Sequence, residues 1–201
     1  MQACFLLSTL AGSDGDSTQE TICSAMASRI AQVTGLPHKL SHDPLQREIE
    51  LRVWSSIYML DVWNTTGRNI KPTILFDPNW PWPAEERVFD SMRYGDANGN
   101  KALLDKSMTP SSSVWGHMIP LTYIKSKIHD LNCSLRELPE LGSQAMQSIE
   151  ELSTELSLWV AKLPPRLLEN EQNIAYFASI GRGRVFVALH VGQDLELFHL
   201  R

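Results

Sequence analysis

The fold is decided by residues 45–64, which read LQREIELRVWSSIYMLDVWN. Apolar side chains recur every three or four residues along this stretch, and that spacing places them on one side of an α-helix. The side chains on that predicted face are Leu45, Ile49, Val53, Ile57 and Leu60, with Trp54 and Tyr58 beside them. Charged residues crowd the first half of the stretch. We therefore predict a core helix over residues 45–64 whose first turns face water.

The same helical spacing recurs on both sides of this stretch. It predicts helices over residues 1–10, 18–34, 85–94, 114–135, 143–163 and 173–200, the last being one helix or two that divide at Gly181 and Gly183. The apolar face of the helix at 18–34 is predicted to consist of Ile22, Cys23, Met26, Ile30 and Val33. Residues 95–100 are predicted to be a polar turn.

Residues 67–83 interrupt the helical pattern. Four prolines in this stretch each lack a backbone N–H, so neither a long helix nor a central strand can persist there. We predict an extended segment that crosses the helices and is anchored by Trp80 and Trp82. Because no stretch shows the alternation of a strand, the predicted fold is all-α, an irregular bundle of about six to eight helices with one Pro- and Trp-rich extended crossing segment.

Composition favours an ordered protein with one domain over residues 1–201. The formal net charge of −5 argues against nucleic-acid binding by these residues, since a negative surface repels phosphate. The three scattered cysteines do not form a disulfide framework and favour a reducing compartment. No apolar run is long enough to span a membrane, so no membrane partner is expected.

Three short motifs resemble known kinds of binding site. His38 and His42 are bracketed by prolines in a loop, where they lack the helical geometry of a metal-binding pair. Residues 96–100 resemble the start of a calcium loop, but the glycine and the glutamate that it requires are missing. Residues 181–184 read Gly-Arg-Gly-Arg without a preceding strand, which favours close helix packing over a phosphate site. We predict no catalytic, cofactor-binding or metal-binding residue, and no enzyme.

Residues 47–61 resemble the signature helix of the fungal-specific transcription factor domain, the middle homology region of binuclear zinc-cluster proteins. In that family a charged Glu/Arg opening leads to a Trp and an apolar run that ends in Leu-Asp, followed by Gly-Arg and a proline-rich descent. Trp54, Asp61, Gly67 and Arg68 occur in that order here, and Pro72 follows. The likeness covers nearly the whole chain and is specific in residues 45–72.

The resemblance implies regulation of DNA-templated transcription by an effector-responsive or inhibitory domain in the nucleus. The family contacts DNA through six cysteines that hold two zinc ions, whereas this sequence has three. Zinc and DNA are therefore partners of the family only, and a second copy or a co-regulator is the expected partner of this chain. The alternatives are a helical small-molecule-binding domain or enzyme unrelated to transcription, or a non-functional gene fragment.

The motif positions are expected to be structural. Asp61 and Arg68 are seven residues apart and would pair if the helix continued, and Gly67 would end the helix in the left-handed conformation. A ligand pocket or a partner contact is the other possibility for these positions.

The two ends of the sequence predict a partial regulatory domain. Residues 185–200 are apolar around the whole circumference of a helix, which is typical of a helix buried on several sides. Residues 1–10 form an apolar helix that needs a surface to pack on. Further sequence, a second copy or a partner would supply that cover.

We expect the purified chain to bind neither stoichiometric zinc nor duplex DNA with site preference at physiological salt, because its charge is negative and its cysteines are too few. Metal analysis and a gel-shift titration measure the two properties. A tightly bound zinc ion or a sequence-specific DNA complex would contradict this prediction.

Overall fold

The computed structural model describes residues 1–66, 68, 70–106, 113–137 and 142–199. In these residues the chain forms nine α-helices, one short 3-10 helix and no strand, so the all-α prediction is confirmed. The helices are α1 Gln2–Ser13, α2 Ser17–Val33, α3 Pro44–Thr66, α4 Glu86–Ser91, α5 Ala97–Lys106, α6 Val114–Glu137, α7 Gly142–Ala161, α8 Glu171–Ser179 and α9 Gly183–His199. The 3-10 helix covers Pro165–Leu167.

The chain divides into two compact units, residues 1–113 and residues 114–201. The first unit contains α1 to α5 and the second contains α6 to α9. The assignment of all 201 residues to a single regulatory domain stays a prediction.

The buried face of α2 is made of small side chains. α2 packs against both α1 and α3, and its buried residues are Cys23, Ser24, Ala27, Ser28 and Ala31. Of the predicted apolar face, Ile22, Met26 and Val33 are 49%, 50% and 78% exposed, so that face was wrong for these three residues. Small side chains let neighbouring helix backbones approach closely, and α2 turns that side toward both of its neighbours.

The buried face of α3 agrees only in part with the predicted one. Ile57, Trp54 and Tyr58 are buried as predicted, and Leu51 and Val62 are buried with them, whereas Leu45, Ile49, Val53 and Leu60 are only partly buried. The crossing segment contributes to this difference, because it occupies residues 70–85 without helix and packs Trp80 against Trp54 and Tyr58 of α3. The prediction that Trp80 anchors this segment is therefore confirmed, and Trp82 is half-buried.

The predicted turn at residues 95–100 is the start of a helix. Gly95 has a left-handed φ of 80°, and the Asp96 side chain then accepts a hydrogen bond from the Gly99 N–H at 2.9 Å. An aspartate in this position caps a helix by satisfying one of its free N–H groups. α5, which begins at Ala97, was not predicted. The nine α-helices of the described residues therefore exceed the predicted range of about six to eight.

The second unit is built around one apolar core. Four residues of α6 contribute to it, namely Val114, Leu121, Ile124 and Ile128, and the remaining members are Leu152, Leu156, Trp159, Leu163, Leu167, Phe177, Phe186 and Leu189. The stacked rings of Phe177 and Phe186, 4.6 Å apart, join α8 to α9. Gly181 has a φ of 72° and separates these helices, so the predicted division at this point is confirmed.

In the described part of the chain, no helix combines the length and the apolar character needed to cross a membrane.

Leu156→Ala should strongly destabilise the second unit, because Leu156 is fully buried at 0% exposure. Removing a buried leucine side chain costs about 2–5 kcal/mol. Leu158→Ala is the matched control, since Leu158 lies on the same helix and is 55% exposed. Urea denaturation measures both free energies of unfolding, and equal losses would contradict the assignment of this core.

Candidate functional site

Asp61 on α3 holds the beginning of the crossing segment. Its Oδ2 atom accepts hydrogen bonds from the backbone N–H groups of Thr73 and Ile74, at 2.6 and 2.8 Å. The residue is only 3% exposed. A buried carboxylate that accepts two backbone bonds fixes the path of the chain at this point, because those N–H groups would otherwise lose their partners.

Glu48, near the other end of α3, holds the end of the crossing segment. Its Oε1 atom accepts hydrogen bonds from the Ala84 N–H at 2.9 Å and from the Arg52 Nε at 2.8 Å. The guanidinium of Arg52 also donates to the Ala84 carbonyl at 2.7 Å. We call Glu48 and Asp61 the anchor carboxylates. They lie about 20 Å apart along the helix axis, given a rise of ~1.5 Å per residue, so the crossing segment runs antiparallel to α3.

Four aromatic rings pack between the two anchor carboxylates. The Trp80 ring lies 5.0 Å from Trp54, 5.3 Å from Tyr58 and 5.5 Å from Phe76, in edge-to-face arrangements. This geometry is favourable for aromatic rings beyond the area that they bury. The aromatic cluster therefore holds the middle of the crossing segment while the carboxylates hold its two ends.

Burial raises the pKa of both anchor carboxylates. For Asp61, desolvation raises the pKa, and the hydrogen bonds from Ile74 and Thr73 oppose that rise. For Glu48, desolvation again raises the pKa, opposed by the charge of Arg52 and by the bond from Ala84. Glu86 adds a second negative charge that raises the pKa of Glu48 further.

The predicted pairing of Asp61 with Arg68 was wrong. Arg68 instead donates hydrogen bonds to Glu20 and Thr21 in the first turns of α2. That pairing requires a continuing helix, but α3 ends at Thr66 and Arg68 lies in a turn. Gly67, predicted to end the helix, lies outside the described residues.

The structure thus connects three of the predicted motif positions to the packing of the first unit. Trp54 and Asp61 contact the crossing segment, and Arg68 joins the end of α3 to α2. Glu48 and Arg52 were not among the predicted site residues. Their four-residue spacing is the available signal, because it permits an ion pair on a helix.

Metal ligands are not assembled in the described part of the chain. His38 and His42 belong to no group of three or more metal-ligating side chains there. The donor set of the family's zinc cluster does not fit either, since Cys4, Cys23 and Cys133 are single free cysteines on separate helices.

An open pocket lies beside the aromatic cluster. Its volume is about 360 Å³, and its lining comes from the end of α2, the loop after it, Trp54 of α3 and residues 74–80 of the crossing segment. Its polar lining includes Gln32, His38 and Asp77. The crossing segment therefore forms one wall of the pocket, and that wall is held in place by the anchor carboxylates.

No known protein family, curated protein or solved structure matches this chain.

We expect the free energy of unfolding of the wild type to increase relative to that of Asp61→Asn as the pH falls from 7 to about 4. The raised pKa of Asp61 means that the folded state binds the proton more tightly than the unfolded state. The resulting stability is fully present below the ordinary aspartate pKa of ~3.9, and it is lost as the pH rises through the folded value.

Denaturant unfolding at a series of pH values measures this difference. Asp14→Asn, in the exposed turn after α1, is the matched control for general effects of charge. A difference at Asp61 that does not depend on pH, or one no larger than that at Asp14, would contradict the prediction.

Proposed function

We propose that this chain regulates transcription in the nucleus as the regulatory domain of a zinc-cluster transcription factor. In this proposal a separate zinc cluster contacts DNA, and the present chain inhibits the activator or responds to an effector. The chain itself is proposed to act without catalysis, and its partners are a second copy or co-regulators.

The observation that carries the proposal is the position of the motif residues. Trp54 and Asp61, which carry the resemblance, are the residues that bind the proline-rich segment to α3. The family pattern places such a segment directly after the signature helix. The agreement between motif order and contact pattern supports a regulatory domain of this kind.

The contacts also give the proposed inhibition a physical basis. The crossing segment is held by a few specific contacts at its two ends and its middle. In this proposal the segment has a bound and a released state, and a ligand or partner that prefers one state shifts the balance between them.

A reporter experiment tests the proposal. The whole chain is placed between a heterologous DNA-binding module and an activation segment, and reporter output is compared with that of a fusion carrying a flexible linker instead. We expect the chain to lower the output. Asp61→Ala should restore it, because this change removes the acceptor for two backbone N–H groups, whereas Asp14→Ala should leave the output low.

Immunoblotting establishes that the fusions are present at equal levels. Output equal to that of the linker fusion, at equal protein level, would count against a regulatory function. Restoration by Asp14→Ala to the same extent as by Asp61→Ala would count against the anchor carboxylate as its structural basis.

The alternative of a small-molecule-binding domain is favoured by one observation, the open pocket beside Trp54. A binding pocket is also compatible with a regulatory role, because an effector needs a binding site.

A further inference from the structure

We propose that two copies of this chain associate through the outer surface of the hairpin formed by α1 and α2, with the two hairpins side by side and antiparallel. This inference names a surface for the self-association that the proposed function includes. The regulatory meaning of such a dimer rests on the proposed function, whereas the association itself rests only on the residues of the hairpin.

The two helices of the hairpin contact each other through small side chains. Ser8 and Ala11 are the buried residues of α1, and the Ser8 hydroxyl donates a hydrogen bond to the Glu20 carbonyl of α2 at 2.8 Å. This bond places the middle of α1 beside the first turns of α2. Because small side chains occupy the contact, large apolar side chains of both helices remain on the outside of the hairpin.

Five large apolar side chains lie on this outer surface, and we call them the hairpin face. Within each helix they are three, four or seven residues apart, a spacing that keeps side chains on one side of a helix. Their exposed fractions run from 49% to 78%, and they are Leu7, Leu10, Ile22, Met26 and Val33. Soluble monomers rarely expose large apolar patches, and such patches mark interaction surfaces.

The hairpin face is large enough for a stable dimer. Its five side chains expose on the order of 500 Å² of apolar surface, whereas a standard interface buries ~800 Å² per partner, of which about three fifths is apolar. Association would remove this apolar surface from water on both copies, which is favourable.

The charges at the two ends of the hairpin select a second copy as the occupant. Asp14 and Asp16 lie in the exposed turn between the helices, whereas Arg29 and Lys39 are exposed toward the other end of α2 and just beyond it. An antiparallel pair of hairpins brings the acidic turn of each copy to the basic end of the other, so the surface is complementary to itself. A parallel pair would place like charges together.

The spacing of these charges fits a two-fold axis. Asp16 and Arg29 are separated by most of the length of α2, about 20 Å at a rise of ~1.5 Å per residue. An axis through the midpoint passes near Ile22, so apolar side chains surround the axis and the charges form a rim. Specific interfaces have an apolar centre and a polar rim, and a two-fold contact forms each pair twice.

A lipid surface is a less suitable occupant of the hairpin face. The sequence of α1 contains no charged residue, whereas a helix that lies on a membrane typically carries Lys and Arg on its polar side. Anionic lipids would also repel the acidic turn at Asp14 and Asp16.

Sedimentation equilibrium of the whole chain, with two charge-reversal variants, tests the inference. We expect the wild type to show a monomer–dimer equilibrium at micromolar concentrations. Asp14→Lys and Arg29→Asp should each raise the dissociation constant at least about tenfold, because each sets like charges against each other twice per dimer. An equimolar mixture of the two variants should dimerise again, because both rim pairs of a mixed dimer then have opposite charges.

A third variant tests the apolar centre. Leu10→Lys should weaken dimerisation at least about tenfold, whereas Leu158→Lys on α7, outside the hairpin, should leave it unchanged. The two leucines are matched, with exposures of 58% and 55%, so the folded chain tolerates lysine at either position. Neutral substitution of Asp14 removes only a solvent-exposed ion pair, which contributes little. Circular dichroism measures the helix content of every variant.

The inference is overturned if the wild type is a monomer at these concentrations, or if its association persists in the charge-reversal variants. It is also overturned if both variants fold but remain monomeric when mixed. If a reversal variant does not fold, the wild type and the comparison of Leu10→Lys with Leu158→Lys still decide the outcome. The reporter experiment is separate. Dimerisation without a transcriptional effect would refute the proposed function alone, and a transcriptional effect from a monomeric chain would refute this inference alone.

Discussion

The first unit depends on the carboxylate of Asp61, which accepts the backbone N–H groups of Thr73 and Ile74. The crossing segment is rich in proline, so it can form neither a helix nor a strand ladder of its own. Its buried N–H groups must therefore find acceptors on a neighbouring element, and a buried donor left without one costs about 1–3 kcal/mol. Glu48 likewise accepts a hydrogen bond from the backbone N–H of Ala84.

Several other features follow from this constraint. Between the two held ends of the crossing segment, Trp80 packs on Trp54 and Tyr58, and this contact helps to bury that side of α3. The same wall bounds the open pocket. Holding the segment in this way removes the carboxyl groups of Glu48 and Asp61 from water. This desolvation is unfavourable for their charged forms and raises the pKa of each group. The packing, the pocket wall and the raised pKa values thus share one origin.

The sequence predicted only some residues of the candidate site. Trp54 and Asp61 stand in a family-like order, but their order says nothing about which atoms they contact. The expected pairing of Asp61 with Arg68 extended the helical spacing beyond Thr66, where the helix ends. The anchoring role of Glu48 was missed, because a glutamate near the start of an amphipathic helix usually faces water.

Local chemistry in the sequence determined where most helices lie. Apolar spacing places α3 and α6, and Gly181 separates α8 from α9, because these signals act between residues that are neighbours along the chain. Which face of a helix becomes buried was decided only in the tertiary structure. In α2, Ala27 is fully buried while Met26 beside it is 50% exposed. Close approach of two neighbouring helices selects small side chains for the contact, and hydrophobic periodicity does not encode that requirement.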